Sequence, residues 1–243
     1  MLNRFSQHLL RFLFSGILSS SAVISHAGML DTGFVAVYEV QHKQIYLGDA
    51  TRTLKQNKEG QWQYHTETET KGLASLLIKD VINETTTFKR QTGNIIPLVY
   101  EYRQHGGKRE KHFLLEFNWD KLELVNSYKK ETFPIKPGTQ DLLSFQLQLM
   151  QDLQSGKRSI SYTIADRKRI EAYKLTNKGK TEIETPMKTF QAIQLVSDVI
   201  RNKAQFKIWC VPELQYLPVR VLKIDDDGDE SEFSLRSIRF LKR

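Results

Sequence analysis

Alternation with a period of two dominates this chain, and it recurs so often that few architectures can satisfy it. Trp62, Tyr64, Thr66, Thr68 and Thr70 fall on one face of an extended run, and Gln61, Gln63, His65, Glu67 and Glu69 on the other. That is the pattern of a half-buried strand with an aromatic and β-branched inner face. Phe34, Ala36, Tyr38 and Val40 alternate in the same way near the start. Further strand-like runs are Glu84–Arg90, Ile96–Gln104, Lys108–Asn118 and Lys121–Lys130, then Ser159–Asp166, Ile170–Thr176, Lys180–Thr185, Phe190–Ile200, Ala204–Val211, Leu217–Ile224 and Glu230–Leu241. Short turn signals separate them, among them Thr92-Gly93-Asn94, Asn177-Lys178-Gly179 and Asp225-Asp226-Asp227-Gly228. About a dozen short-linked strands call for one large antiparallel sheet that curls on itself. Leu73–Val81 fits either a short helix or a bent strand.

One stretch breaks the pattern. Pro137–Leu153 reads as a helix, with Thr139 as N-cap and Asp141 in the first turn, where a carboxylate meets the positive end of the helix dipole. Leu142, Gln146, Leu149 and Leu153 form one stripe, and Leu143, Leu147 and Met150 the adjacent one. Gly156 supplies the stop. A helix apolar on more than one side must be covered. The expected fold is therefore all-β with one main helix: a large antiparallel curved sheet forming an open or spiral β-barrel around a central amphipathic helix.

The first 27 residues have the form of a secretory signal: cationic Arg4 and Arg11, an apolar run from Phe12 to Ile24, and a small-x-small end at Ser25-His26-Ala27. The apolar run is short for a membrane span, and no cysteine stands near the cleavage point to take a lipid anchor. Cleavage near Ala27 would leave residues 28–243 as a single domain. It would remove two arginines and lower the formal charge from +8 to +6. An exported protein of the periplasm is expected, in peripheral rather than integral contact with the membrane. The excess of positive charge suits anionic envelope lipid or glycan and is too diffuse for nucleic acid. The lone cysteine, Cys210, excludes an internal disulfide, so the fold must rest on its core.

Catalytic and metal-binding patterns are lacking. His42, His65, His105 and His112 form no HExxH or HxH pattern. No GxSxG elbow occurs, and Gly106-Gly107-Lys108-Arg109 lacks the leading glycine and the Ser/Thr of a phosphate loop. Glu67 and Glu69 share a face but lie on the wet side of their strand. The run from Asp225 to Glu230 fails the EF-hand pattern because Arg236 stands where the twelfth-position glutamate belongs. Cys210 lies within an apolar run and reads as a core thiol. No catalytic residue and no cofactor are expected.

Two stretches carry a resemblance: Gly138-Thr139-Gln140-Asp141-Leu142-Leu143-Ser144, and Phe206–Arg220 with its Trp-x-x-Pro-x-x-x-x-x-Pro-Val-Arg run. With Phe34–Val40 and Thr185–Phe190, they resemble the bacterial envelope family catalogued as domain of unknown function 3108. Cys210 stands where that pattern suggests an aliphatic residue. The resemblance implies an envelope location and a curved sheet. The family's wider relatives look like the half-barrel and spiral-barrel carriers of the Gram-negative periplasm, including lipoprotein carriers, although fold alone does not fix function.

The leading expectation is a binding or carrier protein whose apolar interior, lined by residues such as Trp62, Tyr64, Leu143, Leu147 and Trp209, holds an acyl chain, a lipoprotein tail or a glycolipid. The rival is an envelope scaffold. It would bind anionic glycan, lipid headgroups or a protein partner through Lys108-Arg109-Lys111, and through Lys157-Arg158 with Arg167-Lys168-Arg169.

Overall fold

The computed structural model describes residues 28–76, 79–107, 110–198 and 204–241. The expected signal segment, Lys108-Arg109 and the end of the Phe190–Ile200 run lie outside the described residues. A four-residue helix, α1 (Met29–Thr32), precedes eight strands: β1 (Phe34–His42), β2 (Ile45–Gln56), β3 (Trp62–Thr70), β4 (Val81–Gln91), β5 (Asn94–His105), β6 (Lys111–Asn118), β7 (Glu123–Asn126) and β8 (Glu131–Pro134). The main helix α2 (Ser144–Gln154) follows. Then come β9 (Ile160–Ala165), β10 (Ile170–Glu184), β11 (Thr189–Ser197), β12 (Gln205–Val211), β13 (Leu217–Ile224) and β14 (Glu230–Phe240).

All fourteen strands belong to one sheet, ordered β8-β7-β6-β5-β4-β3-β2-β1-β14-β13-β12-β11-β10-β9. Every strand-to-strand ladder is antiparallel. Pairing of β1 with β14 joins two meanders, so the sheet opens at β8 and β9, the strands that flank the helix in sequence. A sheet of this many twisted strands curls, and the helix segment occupies the opening. The peptide leading into α2 even lends β9 a partner: Gln140 donates its N–H to the Thr163 carbonyl at 2.9 Å and accepts from Ala165 N–H at 2.8 Å. That bridge covers part of an edge that would otherwise stand open.

The expected curved sheet with a central helix is thus present, and it is open rather than closed. Several local expectations need correction. The helix begins at Ser144, not in the Thr139 region, and Thr139 does not cap it: its hydroxyl donates to the Lys136 carbonyl. Asp141 takes the capping role, accepting the N–H groups of Leu143 and Ser144 at 2.8 Å each. Asn177–Gly179 is a bulge inside the long β10, where the register to β11 shifts, and not a hairpin turn. Lys121–Lys130 resolves into the short β7 and a turn before β8. Within Leu73–Val81, a 3-10 turn (Gly72–Leu76) precedes β4, and Leu73 and Leu76 are exposed.

β2 was not anticipated, because its inner face reads Gly48, Ala50, Arg52, Leu54, and the arginine breaks the apolar alternation. A two-residue turn, Lys43-Gln44, joins it to β1 with φ of 50° and 63°. Such a turn matches strand twist, although most sequences place Asn or Gly there. The Asp225–Gly228 turn is present as expected, with Gly228 N–H bonded to the Asp225 carbonyl.

The apolar residues divide into two clusters. The larger gathers Phe34, Tyr38, Tyr64, Phe88, Tyr100 and Leu115 with Leu147 and Met150 of the helix. The smaller gathers Leu149 and Leu153 with Tyr162, Leu175, Leu195, Ile208 and Cys210. The helix feeds both, which is why it is apolar on two stripes. Among the described residues no helix is long and apolar enough to cross a membrane.

Candidate functional site

Hydrogen bonds from α2 and its leader fix the helix over the sheet. Gln148 accepts Ile95 N–H at 2.8 Å, and Gln140 donates to the Ile95 carbonyl at 2.9 Å, so both backbone groups of one β5 residue are held by side chains from the helix segment. Asp141 accepts the Thr86 hydroxyl of β4 at 2.7 Å. Asp152 accepts from Tyr162 of β9 and from Lys157, each at 2.9 Å. Satisfied buried polar groups of this kind specify one placement of an otherwise greasy helix.

So placed, α2 leaves a cavity of about 240 Å³ between itself and the concave face of the sheet. By comparison, an engineered apolar cavity of about 150 Å³ takes up benzene. The rim carries half-buried apolar side chains, Phe145, Tyr173, Phe206, Val221 and Phe233; Leu149 and Ile208 are buried deeper. Most of the wall is apolar. Its polar side chains are Thr68, Gln146 and Ser197 and one rung of the sheet, where register sets Arg52 of β2 opposite Thr66 of β3, and Thr66 opposite Glu84 of β4.

Arg52 is only 5% exposed. Its guanidinium lies 4.4 Å from the Tyr38 ring centroid and 5.3 Å from that of Phe233, a cation–π arrangement. Nη1 donates to Gln146 Oε1 at 2.9 Å. Burial works against its charge, while the Tyr64 and Tyr38 phenols and Glu84 favour it and prevail. Glu84 accepts a hydrogen bond from the Tyr100 hydroxyl, and burial raises its carboxyl above the ordinary 4.5 despite Tyr100 and Arg52.

Of the five residues expected to line the interior, Leu143 alone lines this cavity. Tyr64 is 1% exposed and packs in the core, its ring 5.9 Å from that of Phe34 and its phenol close enough to act on Arg52. Leu147 is fully buried in the larger cluster. Trp209 packs with that same cluster, on the face of β12 opposite Phe206 and Ile208, and the Arg220 guanidinium lies 5.6 Å from its ring. Trp62 is half-buried with Arg90 over its ring at 5.6 Å. The five are therefore not brought together. Arg52, Thr66 and Glu84 were missed; a cation at an inward position of an alternating run was the signal that could have found them.

Three residues of the basic stretches in the rival reading have partners within the protein. Lys157 pairs with Asp152, Arg169 with Glu171 at 3.1 Å, and Arg167 stacks on Tyr128. His42–Ser231 and His65–Thr85 hydrogen bonds join directly opposed residues of neighbouring strands, outside the cavity. A second, larger groove of about 710 Å³ runs along the open side of the sheet past Lys89, Trp119 and Gln140. It is more polar and more open than the inner cavity. Cys210 is fully buried, and burial pushes its thiol well up.

Comparison with solved structures matches the chain to a β-barrel-like protein of domain of unknown function DUF1849 from Brucella abortus. The match covers 87% of this chain and 98% of that one, with a TM-score of 0.58 at 11% identity. A structure of MucB is matched over 88% of this chain and 56% of that one, with a TM-score of 0.34 at 9% identity. Among curated proteins no match is found. The model of one family, protein of unknown function (DUF3108), covers residues 37–235, and the chain belongs to that family.

Proposed function

We propose that this protein is an exported binding or carrier protein that holds a hydrophobic or amphiphilic envelope ligand, such as a lipid, acyl chain or glycolipid, in the cavity between α2 and the sheet, without catalysing a reaction. One observation carries the reading: a cavity of about 240 Å³ with a mostly apolar wall lies between α2 and the concave face of the sheet, beside two packed apolar clusters. Interiors otherwise pack to crystal-like density, and pockets of this character are the usual small-molecule sites. The signal-like N-terminus supports a periplasmic destination. The polar groups at the cavity floor are a guanidinium, a hydroxyl and a carboxyl bonded to a tyrosine, a set suited to holding a headgroup.

The test is uptake of an environment-sensitive apolar fluorophore by the purified protein, compared with a Val221→Trp variant. Val221 lies half-buried at the rim, so an indole there closes the mouth without entering the core. Saturable uptake that the variant loses, with an unchanged circular dichroism spectrum, supports the proposal. Equal uptake by both proteins, or none by either, contradicts it.

A further inference from the structure

The floor of the cavity holds polar groups that the protein itself leaves unsatisfied. Arg52 Nε and Thr66 Oγ1 are both buried, both line the cavity, and neither has a hydrogen-bond partner. The two residues are 5% and 3% exposed and stand directly opposite each other on β2 and β3. Among the described residues Arg52 forms no salt bridge with a carboxylate: Gln146 accepts from Nη1, the Tyr38 and Tyr64 phenols and Glu84 support the charge, and aromatic rings lie over the guanidinium. Glu84, one strand further along the same rung, is held by Tyr100.

A buried guanidinium nitrogen left without an acceptor is costly, as is a buried hydroxyl without a partner. Most native buried polar groups find partners, so two neighbouring exceptions facing one cavity call for an explanation. Arginine's fork is the group that matches carboxylate and phosphate oxygens. An engineered cavity of about 150 Å³ takes one benzene ring, so a cavity of about 240 Å³ suits a headgroup with the first part of one chain.

We infer that the cavity takes a single-chain amphiphile with an acidic headgroup, head first, an oxygen of the headgroup accepting from Arg52 Nε and Thr66 Oγ1 while the chain lies against Leu149, Ile208 and Phe233 and leaves past the rim. The inference rests on the binding reading above and names the ligand class for that site. Carboxylate and phosphate share the acceptor oxygen that the floor requires. Glu84 and Asp141 are the carboxyls near the rung, both raised by burial, and each is already engaged within the protein, Glu84 by the Tyr100 hydroxyl and Asp141 by the Thr86 hydroxyl and the N–H groups of Leu143 and Ser144.

Titration calorimetry of the purified protein with dodecanoate, dodecyl phosphate, dodecanol and dodecylamine tests it. One or both acidic ligands should bind at least tenfold more tightly than dodecanol, and the ratio of the two says which headgroup the floor prefers. Arg52→Met should bring the acidic ligands down to the affinity of dodecanol, with dodecanol itself little changed. Thr66→Val, which keeps volume and strand propensity, should narrow the gap without abolishing it. Equal binding of acid and alcohol by the unaltered protein, or a preference for dodecylamine, overturns the headgroup assignment while leaving the cavity as a binding site. Failure of all four ligands to bind overturns both.

Discussion

The Arg52 guanidinium on β2 donates to the Gln146 side chain on α2 at 2.9 Å, across 94 residues of sequence. Gln146 is itself pinned, its amide nitrogen donating to the Leu142 carbonyl at 2.9 Å. The helix and the floor of the cavity are thus tied at the point where the wall turns from apolar to polar. Replacing Gln146 with leucine removes the side-chain hydrogen bond that ties the guanidinium to the helix, while its interactions with the Tyr38 and Tyr64 phenols stay in place. The expected cost is about 1.5–3 kcal/mol, the range for a hydrogen bond to a charged group, read as a lower urea midpoint with an unchanged slope.

Asp141 and Thr139 separate the two candidate starts of the helix. Asp141 is fully buried and accepts from Leu143 N–H, Ser144 N–H and the Thr86 hydroxyl. Asp141→Ala leaves three donors without an acceptor, and at ~1–3 kcal/mol for a buried unsatisfied group the total should reach about 3 kcal/mol or more. Thr139→Ala removes only two local bonds with Lys136, one to its carbonyl and one from its N–H, and should cost about 1–2 kcal/mol. Comparable losses in the two variants would contradict the cap assignment.

Glu84 should give stability an unusual pH dependence. Burial raises its carboxyl above 4.5 in the folded chain, so the folded state holds the proton more tightly than the unfolded one. The stability tied to that proton is fully present below the unfolded value and is lost as pH rises through the folded one. Between pH 7 and the ordinary glutamate range, acidification should therefore stabilise the native protein relative to Glu84→Gln. Denaturant midpoints of both proteins at several pH values in that window check the sign; parallel curves would contradict it.

Cys210 should behave as a core side chain. It is fully buried in the cluster with Leu149 and Ile208, and burial disfavours its thiolate, the form that reacts. Thiol reagents should label it only after denaturation, at the rate of global unfolding. Rapid labelling of the native protein would show that the smaller cluster opens locally.

The architecture was legible where residues obey their local pattern. Period-two runs such as Trp62–Thr70 and the doubled apolar stripe of the helix led directly to a curved antiparallel sheet around α2, and the motif at Phe206–Arg220 led to the family. Legibility failed where one residue serves two demands. Arg52 interrupts the inner face of β2, so the strand that supplies the polar floor was the strand that escaped notice. Asp141 caps the helix from three residues before its first turn because its carboxylate also bonds Thr86, a contact that no local sequence rule contains. Trp62 and Trp209 are aromatic and inward by parity, yet arginines from adjacent strands lie over their rings and they do not line the cavity under α2. Which apolar residues surround a cavity and which fill a core depends on how far the sheet curls, and that is set by all fourteen strands together.

Native mass spectrometry of the protein purified from its own host tests the central claim most directly. The account predicts a folded species carrying one small amphiphile per chain, released on denaturation and recovered by solvent extraction as a single-chain acid. A bare mass for the folded protein, persisting after incubation with dodecanoate and dodecyl phosphate, would contradict it.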